Sequence, residues 1–359
     1  MLTSETYNLS MSKEKKNEQR IQMIIDRIVD NRIVFGSSIC LKTPDLYWCG
    51  RSGDFRENEP YFIASVTKLF VTTVILKLRQ NDKISLDDKI GKYLSAPILE
   101  KLHYINGTEY SSKISVRQLL AHTSGIPDYF QQKGQTRKSL EQEIISGNDQ
   151  SWTFEDAITR SKAMKPLFNP GQKNRAHYSD TNYQLLGKII EELCQEDLKT
   201  VLDKEIFQPL GLKKTYLYSD ALDRTPKKMY YKQSKLDIPK SMSSFGADGG
   251  IVSTSEEMVI FLEAFFKGKL FPVQYLQELQ QWNKIFYPLR SGVGIHRFKI
   301  PWIFSPFKSF PELIGHSGLS GAFAFYCPSR EIYLAGTVNQ VDRPGTSFKL
   351  MIRILNVLI

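Results

Sequence analysis

The chain has 359 residues and carries 48 Lys and Arg against 38 Asp and Glu, a formal charge of +10. Hydrophobic residues at 41% and charged residues at 24% exclude wholesale disorder, a collagen-like repeat and a membrane bundle, and the length excludes a small stapled scaffold. The charge surplus makes an anionic partner worth testing: nucleic acid, a membrane surface or an acidic substrate.

Residues 1–17 read as a polar tail, with the cluster Lys13-Glu14-Lys15-Lys16 and no apolar core of the kind a secretory signal needs. The chain as written is expected in the cytoplasm; a signal removed beforehand would place it in the periplasm or outside the cell. Ile21, Ile24, Ile25, Ile28 and Val29 share one helical face, so an amphipathic helix should open the fold. Ile33 to Leu41 and Leu46 to Trp48, around Thr43-Pro44-Asp45, read as two antiparallel strands. Cys40, Cys49, Cys194 and Cys327 form no CxxC pair, and core or free thiols are the default. A turn centred on Pro44-Asp45 sets Cys40 opposite Cys49, where adjacent strands could bridge them.

Helical patterns at Val116 to Ala121, Phe154 to Ser161 and Tyr183 to Cys194, broken by Gly, Pro and Asn, make residues 87–240 a mainly helical region. Phe245 to Gly250 is a glycine-rich return, and Thr254 with Glu257 reads as a capping box. Ala322 to Cys327 and Ile332 to Val338 form a second hairpin, followed by a closing helix from Phe348 to Ile359. Residues 18–86 and 241–359 therefore read as one α/β (α+β) body, an antiparallel sheet flanked by terminal helices with the helical region inserted. No repeat of about 20 to 50 residues is present, which argues against solenoids and propellers.

Ser65-Val66-Thr67-Lys68 precedes Leu69 to Leu78, a run apolar nearly all round. A spacing of three puts Ser65 and Lys68 on one helix face, so the amine can accept the serine proton, and a helix N-terminus supplies N–H groups for an oxyanion. The bland alternative makes Ser65 an N-cap and Lys68 a surface charge. Ser10-Lys13, Ser12-Lys15 and Ser305-Lys308 share the spacing but not the buried helix. Tyr178, after the turn Asn169-Pro170-Gly171 and before a helix, offers a phenol as acid or base. His316-Ser317-Gly318 precedes a strand, where small residues let a substrate backbone lie close.

In this order and spacing, Ser65-Val66-Thr67-Lys68, Tyr178-Ser179-Asp180 and His316-Ser317-Gly318 resemble the serine β-lactamase and penicillin-binding protein superfamily, in its class C β-lactamase-like branch with DD-peptidases and esterases. Supporting matches are the run from Leu119 to Asp128, Pro209-Leu210-Gly211-Leu212 and the run from Gly249 to Thr254. The resemblance implies a β-lactamase/transpeptidase-like fold and a metal-independent serine hydrolase without cofactor. Ser65 would be acylated by an ester, a peptide-like amide or a β-lactam, and Lys68 and Tyr178 would share the acid and base work. The N–H groups of Ser65 and Leu319 would form the oxyanion hole, and His316 and Ser317 would bind a substrate carboxylate or position the leaving group, with Gly318 beside them. Asp180 stands where relatives commonly have Asn: a carboxylate only accepts hydrogen bonds, which weakens recognition of an acylamino group, and beside Lys68 it would shift the base role toward Tyr178. His316 in place of Lys removes a permanent charge.

His122 and Asp128 read as structural groups at a helix end, and His177 as adjacent to the site but directed away from it. Trp302 to Phe310 reads as a packed aromatic loop. With five histidines and no H-E-x-x-H, a metal site is not expected. The rival classes are a catalytically silent binding or scaffold module on the same fold and a charge-driven nucleic-acid or membrane binder. The basic residues are scattered, as in Lys213-Lys214 and Lys227-Lys228, and no nucleic-acid motif emerges.

Overall fold

The computed structural model describes residues 13–134, 138–300 and 310–359. The start of the polar tail, with Ser10 and Ser12, lies outside them, as do Ser305 and Lys308 and the loop from Trp302 up to residue 309. Among the described residues, no helix is long and apolar enough to cross a membrane.

Helix α1 (Lys13–Ile28) starts well before its apolar stripe, inside the segment read as tail. Lys and Glu are good helix formers and Glu14 in the first turn complements the helix dipole, so the helix extends backwards without apolar help. Ile21 and Ile25 are fully buried against the body.

The main sheet is antiparallel and eight-stranded. Its strands are β1 (Gly36–Lys42), β2 (Tyr47–Gly53), β3 (Asn283–Phe286), β4 (Leu289–Ser291), β5 (His296–Phe298), β6 (Leu313–Ser317), β7 (Ala322–Cys327) and β8 (Ile332–Thr337), in spatial order β3-β4-β5-β6-β7-β8-β1-β2. Sequence-distant ends of the chain therefore meet where β8 pairs with β1, Ser38 opposite Thr337. The period of two assigns each strand's faces: Ile39, Leu41, Phe323, Phe325, Ile332 and Leu334 join one core with α1 and the closing helix α5 (Gly345–Leu358). Cys40, Ala322, Ala324, Tyr333 and Ala335 point to the opposite core, which includes α2 (Thr67–Gln80) and α4 (Ser255–Phe266).

The β1–β2 turn closes with the Thr43 N–H donating to Leu46 O, and this register sets Cys40 against Cys49 with Cα atoms 4.0 Å apart. The two are joined by a disulfide, so the default reading of free thiols is corrected for this pair; Cys194 and Cys327 are free. The Thr254–Glu257 reading is half correct. Thr254 accepts from the Glu257 N–H, but the Glu257 carboxylate turns to the Lys213 and Lys214 N–H groups and the Thr215 hydroxyl instead of back to the cap. It thus ties the start of α4 to the segment before Tyr216–Leu217, a strand of the small sheet that also holds Tyr61–Phe62 and Ile251–Ser253.

Within residues 87–240, helix α3 (Asp180–Cys194) is the long element and packs against α2. It begins three residues before the predicted Tyr183, because Asp180, Thr181 and Asn182 form a polar first turn that is buried rather than exposed. Helix α2 is buried along most of its length, as its all-round apolar sequence requires.

Candidate active site

Ser65 sits in a single 3-10 turn, Ala64–Val66, that runs into α2. The turn is anchored on the small sheet by the Ile63 N–H donating to Ile251 O at 3.1 Å. Ala64 adopts φ +47°, a left-handed conformation rarely taken by a residue with a Cβ, immediately before the serine. Ser65 caps neither this turn nor α2, which disposes of the N-cap alternative. Its Oγ accepts from the Tyr178 hydroxyl at 2.7 Å and from Lys68 Nζ at 3.2 Å.

Lys68 is no surface charge: its side chain is 0% exposed. Besides Ser65, its ammonium donates to Asp180 Oδ1 at 2.6 Å and to Asp248 O at 2.5 Å, and it lies 5.0 Å from the Tyr178 ring centroid. An amine buried at this depth requires such partners.

The loop carrying Tyr178 is stitched to the segment 122–129. The Ser179 N–H donates to His122 Nδ1, the Asp180 N–H to Asp128 Oδ1, and the Ser179 and Thr181 hydroxyls to Pro127 O. The His122 ring stacks on Tyr178 with centroids 4.5 Å apart. His122 and Asp128 are thus structural, as read, but their task is specific: they place Tyr178 and Asp180 against Ser65. The His177 N–H donates to His122 O, and its ring is not among the groups on Ser65.

Burial, then the charge of Asp180, push the Tyr178 phenol well above its usual range. The same carboxylate expected to hand the base role to Tyr178 therefore keeps its proton on, and the hydroxyl stands as a donor to Ser65. Burial and Asp180 also raise Asp128, to about 7, and push Asp248 well above the ordinary carboxylate range.

The opposite wall comes from the sheet. Gly318 follows β6, and a Cβ there would fall 2.4 Å from Ile63 O, so only glycine lets this strand end approach the Ser65 turn. Leu319 lines, with Ser65, the cavities on both sides of the nucleophile, and Ser317 lines the one that also holds His316. His316 is 1% exposed, its Nδ1–H donates to Ser317 O at 2.8 Å, and its ring stacks on His296 at 3.9 Å. Burial, then His296 and Lys68, push His316 well below its usual range; burial and Lys68 take His296 to about 3. Both imidazoles are neutral, so His316 has no charge to offer a substrate carboxylate.

Two groups escaped the sequence reading. Asp248 lay inside the glycine-rich return and gave no sign that its carbonyl would hold Lys68. His296 carries no local signal; β5 pairing with β6, His296 opposite Gly315, brings it to the site.

The Beta-lactamase family model matches residues 28–358. The chain belongs to the Beta-lactamase family. It is 26% identical over 254 residues to the Bacillus subtilis (strain 168) penicillin-binding protein PbpX, covering 67% of this chain but only 55% of that protein. It is 24% identical over 303 residues to the Escherichia coli (strain K12) D-alanyl-D-alanine-carboxypeptidase/endopeptidase AmpH, covering 80% of this chain and 72% of AmpH. Among solved structures it resembles a D-stereospecific amidohydrolase from Streptomyces sp. with TM-score 0.77 and 27% identity, over 93% of this chain and 97% of that one.

Proposed function

We propose that the protein is a serine hydrolase that forms an acyl-enzyme on Ser65 from an amide or ester with an uncharged leaving group. The observation that carries this reading is the Ser65 hydroxyl held between Lys68 Nζ and the Tyr178 hydroxyl. Both groups donate to Oγ at rest, so attack begins when this pair has lost one proton and can take the serine's. Oγ then bonds to the substrate carbonyl carbon, and the oxyanion is met by the N–H groups of Ser65 and Leu319. The leaving nitrogen or oxygen departs with the proton returned from Lys68 or Tyr178, and water adds to the ester and restores the Ser65 hydroxyl with release of the acid.

The uncharged leaving group is supported by the cavity that Ser65 shares with Tyr178, His316 and Ser317: its described lining has no Lys or Arg, and its histidines are neutral. A carboxylated peptide or β-lactam would find no cation there. The family and the named Streptomyces amidohydrolase agree with amide chemistry. The Cys40–Cys49 disulfide supports an oxidising compartment over the cytoplasmic reading.

A fluorophosphonate probe and a panel of p-nitrophenyl esters, D- and L-amino acid amides and nitrocefin test the proposal. Wild type should be labelled and should turn over esters or amides faster than nitrocefin; Ser65→Ala should lose labelling and at least about 10⁴-fold in kcat. Equal labelling of both proteins, or no adduct and no product across the panel, overturns the reading, the latter in favour of a silent binding module.

A further inference from the structure

The Lys68 ammonium has three N–H donors and three acceptors around it: Ser65 Oγ, Asp180 Oδ1 and the main-chain oxygen of Asp248. Asp180 supplies the countercharge. The Asp248 carbonyl supplies direction: with two donors engaged by Asp180 and Asp248, the third position on the nitrogen is left pointing at Ser65. When that position loses its proton, the lone pair that appears there faces the hydroxyl it has to deprotonate. The aim of the amine therefore depends on how firmly the Asp248 carbonyl is held.

Asp248 ends the single turn Gly246–Asp248, a short segment between glycines that has little to fix it by itself. Its side chain is 1% exposed, and Oδ2 accepts from the Tyr129 hydroxyl at 2.8 Å and from Gln184 Nε2 at 3.0 Å. Gln184 Nε2 also donates to Phe245 O at 2.6 Å, so one amide on α3 grips both the residue before the turn and the residue that ends it. The helix lies close behind: a Cβ at Gly187 would fall 2.6 Å from the Ala247 Cβ. Tyr129 is placed in turn by its N–H donating to Thr181 Oγ1 at 3.0 Å, one residue from Asp180. Both of the acceptors that hold Lys68 besides Ser65 are thus referenced to the first two turns of α3.

Burial keeps the proton on the Asp248 carboxyl, and the proton then sits on Oδ1, the oxygen without a partner. A protonated carboxyl still offers Oδ2 to both donors, so its task needs no negative charge.

We propose that Tyr129, Gln184 and the Asp248 carboxyl are positioning residues for the reaction: they clamp the turn 246–248 so that Asp248 O aims Lys68 Nζ at Ser65. This inference rests on the acyl-enzyme reading and adds to it the part of the chain that directs the amine.

The burst of p-nitrophenol released as a p-nitrophenyl ester acylates Ser65, followed by stopped flow, tests the clamp. Asp248→Ala should slow acylation about tenfold to a hundredfold while the half-saturating ester concentration stays within about twofold. Asp248→Asn keeps an acceptor oxygen for both donors and sets its NH₂ where the protonated Oδ1 was, so acylation should recover to within about threefold of wild type. Tyr129→Phe keeps the ring and leaves Gln184 in place, and should lose about threefold to tenfold. Fluorophosphonate labelling of Ser65 should slow in the same order. An Asn variant as slow as the Ala variant would mean a charge rather than a clamp and would overturn the proposal. Losses that appear in half-saturation instead of rate would do the same, as would wild-type acylation in Asp248→Ala. Should Asp248→Ala fail to fold, a wild-type rate in Tyr129→Phe is enough to overturn it. A wild-type protein that gives no burst and takes no label would instead remove the acyl-enzyme reading beneath.

Discussion

The two walls that meet at Ser65 are built on opposite electrostatic principles. The helical side brings Tyr178, Asp180 and Asp128, tied together by backbone N–H groups and hydroxyls, with the Lys68 ammonium closing the network. The sheet side brings neutral His296 and His316, of which both ring nitrogens of His296 and the Nε2 of His316 are buried without a partner, and a glycine that lets backbone come close. Proton transfer needs charged groups held at hydrogen-bond distance, and only the helical wall provides them. Carbonyl polarisation needs backbone dipoles in close approach, and the sheet wall provides those.

Removing the phenolic oxygen is the strongest way to break this comparison. Tyr178→Phe keeps the ring on His122 and deletes only the donor to Ser65, so kcat on a p-nitrophenyl ester should fall about 10²- to 10⁴-fold with little change in thermal midpoint. A loss of less than about threefold would show that the helical wall does not move the proton. On the sheet wall, Gly318→Ala forces a Cβ against Ile63 O, which no rotamer can relieve, and the displaced strand end should cost about 10²-fold in kcat. Wild-type rates with Ala at this position would mean that the close approach serves packing alone.

The protonation state of the helical wall also has a kinetic signature. With the Tyr178 phenol pushed up by burial and by Asp180, the resting enzyme holds one proton too many for attack. Accordingly kcat/KM should climb from pH 7 into the alkaline range, by up to about tenfold per pH unit. A profile that is flat there would show that the pair is already poised as a base at neutral pH.

The asymmetry between the walls explains what was legible in the sequence. Ser65 and Lys68 share one turn of chain ahead of an apolar run, so their proximity follows from spacing, and the hairpins announce themselves by strand alternation around Pro-containing turns. Tyr178 and His316 drew notice from their loop and strand contexts, but their meeting with Ser65, and Asp180 with them, came through a resemblance, because nothing local says that residues separated by more than a hundred positions converge. Asp248 acts through its carbonyl and His296 through strand pairing, and neither property is written in residue type. Charge misled for the same reason: a sum over the chain says nothing about where carboxyl groups gather, and +10 overall coexists with Glu141, Asp180 and Asp248 lining one cavity beside Ser65.

The smallest effect separates the buried imidazoles around the site from its buried carboxyls by the sign of their pH response. His122, His296 and His316 are all held below the ordinary imidazole range by burial, so below about pH 6.5 the unfolded chain binds protons that the folded protein refuses, and stability falls with acid. Asp128, raised to about 7, and Asp248, also raised by burial, work the other way: the folded protein keeps protons that the unfolded chain gives up above about pH 4, so their contribution falls as pH rises. Each group is worth up to about 1.4 kcal/mol per pH unit within its window. His103 and His177 are lowered by burial as well, and Glu141 is raised, so with five imidazoles against three carboxyls thermal stability should decline between about pH 6.5 and 4. His316→Asn should flatten that decline and Asp128→Asn should steepen it, measured as denaturation midpoint against pH. Slopes that shift in the same direction for both variants would show that these imidazoles and carboxyls do not pull stability in opposite directions.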